Sequence, residues 1–182
     1  MSRVAGGLAA LLLAGLPACV DAGTRPAATA DVVDSADQLL AGFETSVTRD
    51  GLRRAGITAD TARMYEATQS LAMRAMVMTF YDAQGAQRSR LTADSALMFW
   101  TSGLITANGN VVLTAPDGRV LKSSVLRIDD AAREISTDQP FTLSGGKDFV
   151  RGTSLKTDPE FRNVTASKPR GFSDKPMLLP GQ

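Results

Sequence analysis

The chain contains 182 residues, with 20 Lys and Arg against 19 Asp and Glu, a formal net charge of +1 and 43% hydrophobic residues. This balance is typical of a folded globular protein and excludes a chain that is disordered throughout. A nucleic acid partner is not expected, because binding to phosphates requires a clustered surplus of basic residues.

The residue types that most often carry enzyme chemistry are scarce. The sequence has no histidine and a single cysteine, Cys19. Histidine is the usual general base and metal ligand near neutral pH, and one thiol forms neither an intrachain disulfide nor a thiolate metal cluster. We therefore expect a protein that is not an enzyme, with no catalytic residues, no cofactor and no metal.

The N-terminal region contains an uncharged run, Val4–Leu16, that follows the short basic start Met1–Arg3. As a helix this run would extend about 20 Å, whereas the hydrocarbon core of a bilayer is about 30 Å thick. The run is too short to span a membrane well, and its length predicts a secretory signal over residues 1–18.

The segment Leu16-Pro17-Ala18-Cys19 resembles the lipobox of bacterial lipoproteins. In that family the signal is cut before the cysteine, which is then acylated. The resemblance implies a lipid anchor at Cys19, and several acyl chains give stable anchoring. The small Ala18 fits the pattern, whereas Pro17 departs from it. The alternative is a plain signal peptide with an incidental cysteine.

Residues 19–38 differ in composition from the rest of the chain. They are rich in Ala, Asp and Thr and offer little apolar surface to bury. Such a composition is typical of a flexible tether.

Four segments share one pattern: a β-type run, a turn with glycine, and a second run that ends in aspartate. They are Phe43–Asp60, Val77–Asp94, Val111–Asp129 and Phe141–Asp158. The closing aspartates are 34, 35 and 29 residues apart, and a period in this range indicates a repeat architecture. Glycine suits these turns because hairpin turns place residues at positive φ. The pattern predicts about four hairpins, with roughly eight to ten strands in all.

Two details complete the prediction of the fold. Asn108–Asn110 predicts a bend or bulge within a β run. Thr61–Ala75 has competing helical character, but its position between two hairpins favours strands. We predict an all-β fold over residues 39–171, an antiparallel sheet folded over on itself as a sandwich, jelly roll or open barrel, with a tail at 172–182.

The order and spacing of several segments resemble the OstA-type repeat of lipopolysaccharide transport proteins, and the whole arrangement resembles the LptC family. The segments are Leu91–Ala96, Ala107–Ser123, Ile135–Leu143, Val150–Asp158 and Asn163–Gly171. The resemblance implies an open, twisted antiparallel β-jelly roll whose sheets leave an apolar groove for the acyl chains of lipopolysaccharide. Such a groove needs no catalytic group, because each buried CH₂ contributes about 0.8 kcal/mol.

The resemblance also implies partners and a location. A membrane-anchored LptC protein would receive lipopolysaccharide from an LptF/LptG/LptB-type ABC transporter at the periplasmic side of the inner membrane and pass it to an LptA-like bridge. Edge strands would make the contacts, with the first strand near Phe43–Thr48 meeting the transporter and the last near Phe161–Ala166 meeting the bridge. Many family members are held by an N-terminal transmembrane helix, so a lipid anchor at Cys19 would depart from that pattern.

Alternating apolar residues supply the candidate lining of the groove. The set is Leu91, Ala93, Val111, Leu113, Leu126, Ile128, Phe141 and Leu143. The same residues would equally fill the core of a closed sandwich. A register shift of one residue would turn every side chain to the opposite face.

The four closing aspartates, Asp60, Asp94, Asp129 and Asp158, are interpreted as caps of turns or strand ends, because Asp readily accepts hydrogen bonds from nearby backbone. They lack the close clustering of a calcium loop.

Two other functions remain open. One is a structural or adaptor lipoprotein with a closed, filled β-sandwich, which an open slot between the sheets would argue against. The other is a glycan-cleaving β enzyme, which would need two carboxylates about 5–10 Å apart in a cleft.

Overall fold

The computed structural model describes residues 36–172 of the chain. Within this range there are twelve strands and no helix long and apolar enough to cross a membrane. The strands are β1 (Gln38–Arg49), β2 (Leu52–Tyr65), β3 (Ser70–Tyr81), β4 (Gln87–Phe99), β5 (Leu104–Thr114), β6 (Val120–Asp129), β7 (Glu134–Thr137), β8 (Phe141–Gly145), β9 (Asp148–Gly152), β10 (Ser154–Thr157), β11 (Val164–Ser167) and β12 (Arg170–Phe172). The all-β prediction is confirmed. The predicted number of strands is too low, because the chain after Asp129 breaks into six short strands.

The first six strands form an antiparallel meander in chain order, and the sheet then divides. The N-terminal half of β6 pairs with β8, and its C-terminal half pairs with β7. One branch continues through β10 to β11, and the other continues through β9 to β12. Strands β1, β11 and β12 each pair with one strand in the described part of the chain. The sheet does not close into a barrel, which confirms the open antiparallel architecture.

The turns lie where the sequence predicts them. Asp50 and Gly51 have φ angles of 53° and 74° between β1 and β2. Between β3 and β4, the Asp82 carboxylate accepts hydrogen bonds from the backbone N–H groups of Gln84 and Ala86 at 3.0 and 2.8 Å. The Ala86 hydrogen bond is the largest cause that lowers the pKa of Asp82. These local contacts define the hairpins before any long-range packing is made.

The segment Thr61–Ala75 forms strands, as predicted. Strand β2 extends to Tyr65, a short turn follows, and β3 begins at Ser70. Gln69 closes this turn with φ of 51°. The helical spacing of apolar residues in this segment arises because β3 changes its inward-facing positions partway along its length.

A line of irregular pairing crosses all six strands of the meander. At this line each pair of neighbouring strands has facing residues that do not pair, or a shift in register. The residues on the line are Gly42, Asp60, Ala75, Asp94, Gly109, Asn110 and Ser124. Several of them have positive φ, including Ala75 at 51°. Bulges bend a strand and increase its twist, so the meander bends along this bulge line. The predicted bulge at Asn108–Asn110 is confirmed as one part of it.

Two of the four closing aspartates lie on the bulge line rather than at strand ends. Asp94 is in the middle of β4, where its Oδ2 accepts a hydrogen bond from the Asn110 side chain at 2.7 Å. Asp60 is likewise inside β2. The predicted capping of strand ends is therefore wrong for this pair, because both strands continue through the bend.

The other two aspartates, Asp129 and Asp158, cap backbone N–H groups at strand ends. Asp129 ends β6 and accepts a hydrogen bond from the Ala132 N–H at 2.9 Å. Asp158 follows β10 and accepts hydrogen bonds from the backbone N–H groups of Glu160, Arg162 and Asn163. Asp158 thereby shapes the turn of residues 158–163, here called the end loop.

The end loop packs onto one end of the roll. Phe161 is 2% exposed and has φ of 54°, a conformation that is rare for a bulky residue. Arg119, itself buried, donates hydrogen bonds to the carbonyl oxygens of Phe161 and Glu160 at 2.9 and 3.2 Å. The Ser89 hydroxyl donates to the carbonyl of Pro159. Phe161 thus lies in this loop rather than in the last strand, which corrects the predicted strand near Phe161–Ala166: β11 begins at Val164, and β12 follows it.

Replacing Gly109 by alanine is expected to destabilise the bulge line. Gly109 has φ of 75°, and an added Cβ would lie 2.6 Å from Oδ2 of Asp94. We expect Gly109→Ala to lower the free energy of unfolding by about 2–4 kcal/mol, from backbone strain and overpacking together. Urea unfolding of the full chain measures the loss.

Gly103→Ala is the matched control, because Gly103 has φ of 71° but no atom within 4 Å of an added Cβ. Its loss is expected to be about 1 kcal/mol, from the backbone alone. Equal losses in both variants would show that the Asp94 contact does not constrain the line.

Replacing Arg119 by methionine is expected to release the end loop. The substitution leaves the carbonyl groups of Glu160 and Phe161 without their donor, at a cost of about 2–4 kcal/mol. Arg127→Met is the control, because the Arg127–Asp138 ion pair is roughly half exposed on both sides and contributes less than about 1 kcal/mol. Thermal unfolding combined with hydrogen exchange of residues 158–163 reports both effects. A control loss as large as that of Arg119→Met would contradict the buried role.

Candidate functional site

The inward faces of the strands form one apolar interior. The structure places all eight predicted lining residues in it, each between 0 and 7% exposed. They lie on four strands: Leu91 and Ala93 on β4, Val111 and Leu113 on β5, Leu126 and Ile128 on β6, and Phe141 and Leu143 on β8. The interior therefore joins residues that are up to 52 positions apart in the sequence.

Strand pairing arranges this interior in continuous rows. One row crosses seven strands on one side of the bulge line, through Ile57, Met78, Leu91, Leu113, Leu121, Leu143 and Val150. On the other side, a second row passes through Ala62, Met73, Ala96, Ala107 and Leu126. Side chains directly opposite each other on paired strands have Cβ atoms about 5 Å apart. Each row is thus an unbroken apolar strip across the roll.

Sequence reasoning placed Met73, Met76 and Met78 in the interior, as the structure does, but missed other buried residues. Among those missed are Ile57, Leu121, Ile135 and Leu155, all at most 2% exposed. Their signal was present as alternation within each half strand. It was obscured where β2, β3 and β6 change their inward-facing positions at the bulge line.

The interior is packed in this structure. A cavity of about 70 Å³ lies at the end near the end loop, where Phe80, Ile128 and Ile135 form its apolar wall. A cavity of roughly 150 Å³ is needed to hold a benzene molecule, so this space does not admit an acyl chain. Among residues 36–172 the inward side chains of the central strands are almost fully buried, so the two faces of the roll are packed against each other there.

Packing is weaker along β1 than in the centre of the sheet. Leu40, Phe43 and Val47 contact the core but are only partly buried, and Leu39 is 67% exposed. Strand β1 also pairs with one neighbour, β2, in the described part of the chain. The interior is therefore most accessible beside β1.

Arg49, the last residue of β1, joins the first hairpin to the distant turn between β6 and β7. Its guanidinium donates to Oδ2 of Asp130 at 2.7 Å and to the carbonyl of Ala131 at 3.3 Å. The Arg49 side chain is 38% exposed, so solvent screens this pair and weakens it. We call this contact the first-hairpin clasp.

The remaining predicted residues fall outside this interior. Cys19 and the predicted signal and tether up to residue 35 lie outside the described residues. Within residues 36–172 no group of three or more acidic, His or Cys side chains is placed to hold a metal ion. Of the closing aspartates, Asp60 and Asp94 line one surface cavity on the bulge line together with Arg63 and Arg74, whereas Asp129 and Asp158 lie at turns.

Comparisons with known proteins agree with this architecture. A sequence model of the family described as "Lipopolysaccharide-assembly, LptC-related" matches residues 8–166. A comparison with curated proteins gives no significant match.

The fold is similar to a crystal structure of LptH, described as the LptA-homologous periplasmic component of the lipopolysaccharide transport device of Pseudomonas aeruginosa. The TM-score is 0.51 at 15% sequence identity, covering 66% of this chain and 95% of LptH. At this identity the similarity establishes the fold alone. The family match extends over most of the chain and includes all of the interior rows up to β11. The chain therefore belongs to the LptC-related family of lipopolysaccharide-assembly proteins.

Proposed function

We propose that the chain takes lipopolysaccharide from an LptF/LptG/LptB-type ABC transporter, holds its acyl chains in the interior of the roll, and passes it to an LptA-like bridge. The observation that carries the proposal is the pair of apolar rows that cross the roll without a polar interruption. The longer row runs from Ile57 to Val150, and the shorter row runs from Ala62 to Leu126. Each acyl CH₂ that enters such an interior contributes about 0.8 kcal/mol. The protein needs no catalytic group for this role.

Lipid entry requires the interior to open, and β1 is the strand that we propose moves. Three of its apolar side chains contact the core while only partly buried, and it pairs with one neighbour among the described residues. The first-hairpin clasp holds its end through a partly exposed ion pair, which contributes at most about 1 kcal/mol. Displacing β1 therefore costs less than separating the central strands, which are paired on both sides.

The edge strands supply the contacts with partners. We propose that β1 adds to a strand of the transporter and that β11 adds to a strand of the bridge protein. Within residues 36–172 each of these strands pairs along one edge, and the N–H and C=O groups of the other edge are the surface that strand addition uses. Because β1 and β11 lie at opposite ends of the strand order, one chain would join two partners without competition.

We also propose that the chain is held at the inner membrane by lipid on Cys19. Residues 19–37 would then form the tether, with a root-mean-square length of about 25 Å for a flexible chain of this size. This length allows the roll to meet a transporter in the same membrane while the anchor stays in the bilayer.

A photo-crosslinking amino acid at position 113 is expected to capture lipopolysaccharide in cells. Leu113 is fully buried in the longer apolar row, so a crosslinker there would touch any lipid in the interior. Val112 is the matched control, because its side chain is on the opposite face of the same strand. We expect lipid adducts at 113 and not at 112, detected by immunoblotting for lipopolysaccharide.

The same experiment separates transport from the adaptor function. The interior is filled in this structure, as it would also be in a closed adaptor. Absence of adducts at positions 111 and 113, with normal expression and folding, would favour an adaptor and contradict the lipid-transfer proposal.

The lipid anchor predicts a specific mature N-terminus. Mass spectrometry of the protein isolated from membranes is expected to give Cys19 as the first residue, with a mass increase that corresponds to acylation. Cys19→Ser should shift the protein from the membrane fraction or block its processing. An unmodified Cys19, or a mature chain that starts elsewhere, would contradict the lipid anchor. Neither result would contradict the lipid-transfer proposal.

A further inference from the structure

The outer face of the branch β6–β8–β9–β12 carries a basic row beside an apolar one. In the basic row, Lys122 faces Thr142, Thr142 faces Arg151, and Arg151 faces Arg170. The strands are about 4.8 Å apart, so the three cations lie within about 14 Å of each other. The row therefore concentrates positive charge at one end of the sheet.

The neighbouring row exposes two aromatic rings. It runs through Val120, Ser144, Phe149 and Phe172. Phe149 is 41% exposed and Phe172 is 60% exposed. The Arg151 guanidinium lies over the Phe149 ring, 4.8 Å from its centre. We call Lys122, Phe149, Arg151, Arg170 and Phe172 together the basic–aromatic face.

The charge on this face is uncompensated within the described residues. Arg151 and Arg170 are directly opposite each other, an arrangement that destabilises a sheet when both side chains have the same charge. None of the three cations of the face forms an ion pair with a carboxylate whose side chain the structure describes, whereas Arg49, Arg119 and Arg127 each pair with an aspartate. An external anion would remove this repulsion.

The basic row contains no acidic residue near the face. Followed across the sheet, the basic row continues through Val112, Thr92, Val77 and Thr58 to Glu44 on β1. Glu44 is about 24 Å from Lys122 at ordinary strand spacing. The basic row therefore presents its cations to a partner with no acidic residue between Lys122 and Arg170.

We propose that the basic–aromatic face docks the roll on the surface of a bilayer that contains anionic phospholipids. Guanidinium groups bind phosphate oxygens bidentately, and aromatic rings beside them enter the interfacial layer below the phosphates. A bilayer surface provides phosphate groups for the arginines and an apolar layer for the rings. An acidic protein surface would bind the arginines but would need a separate apolar site for the two exposed rings. Val150, between Phe149 and Arg151, points inward, so docking uses the face opposite to the interior and is independent of lipid transfer.

Fluorescence quenching of the full chain in vesicles tests this proposal. The variant Phe172→Trp, combined with Trp100→Phe, places the sole indole of the chain on the face. The protein is reconstituted in vesicles of brominated phosphatidylcholine with and without phosphatidylglycerol. We expect strong quenching with phosphatidylglycerol and little without it. Adding Arg151→Gln and Arg170→Gln should weaken docking about 30-fold, since each cation near an anionic surface contributes about 1 kcal/mol.

The control has the same net charge. Arg74→Gln with Arg133→Gln removes two exposed arginines that lie on β3 and in the turn before β7, and quenching should remain. Urea unfolding of each variant shows that the roll is intact. Equal quenching in both lipids, no quenching in either, or quenching that survives the loss of Arg151 and Arg170 would each overturn the proposal.

Discussion

Side chains on a strand alternate between the two faces of a sheet, so an irregularity within a strand can change which residues point inward. Five strands of the meander make that change on one line, from Gly42 on β1 to Ser124 on β6, whereas β5 keeps the same alternation from Ile105 to Leu113. On β4 the inward residues are Leu91 and Ala93 before the line and Ala96 after it. Strands β1 to β4 keep one register across the line, and the register shifts there where β5 pairs with β4 and with β6. The continuous interior, and hence any lipid-binding role, depends on this alignment.

The packed interior and the proposed entry of lipid are compatible because packing is uneven. Strands β4 and β5 are paired on both sides and bury most of their inward residues, whereas the inward residues of β1 are only partly buried. Local opening is governed by the contacts that must be broken, so the roll opens more easily at β1 than at its centre. A lipid that enters there replaces the contacts of β1 with the core, which are already incomplete, and leaves the central apolar rows intact.

Local features of this fold were readable from the sequence, and non-local ones were not. The turns at Asp50-Gly51 and Asp82–Gly85 follow from the chemistry of the turn residues themselves. The division of the sheet at β6 depends on which of two later segments pairs with each half of one strand, and no local signal reports that choice.

The closing aspartates show the same limit of local sequence signals. The repeat was real, but Asp60 and Asp94 mark the bend and not the strand end, because a bulge and a strand end both interrupt alternation. The eight predicted lining residues do face inward, because each strand contributes two residues from the same side of the bulge line.

The branch that ends in β12 is asymmetric between its two faces. On its inward side β9 contributes Val150 and then Gly152, where an added Cβ would lie 2.5 Å from the Phe141 ring. Opposite Val150, β12 contributes Gly171. On its outward side the same two strands carry two phenylalanines and two arginines. A strand that only completed a core would concentrate its large side chains inward, as β5 does with Val111 and Leu113. Here the large side chains face out and glycine faces in, so packing of the core does not account for the outer residues of β9 and β12, and recognition of an external surface does.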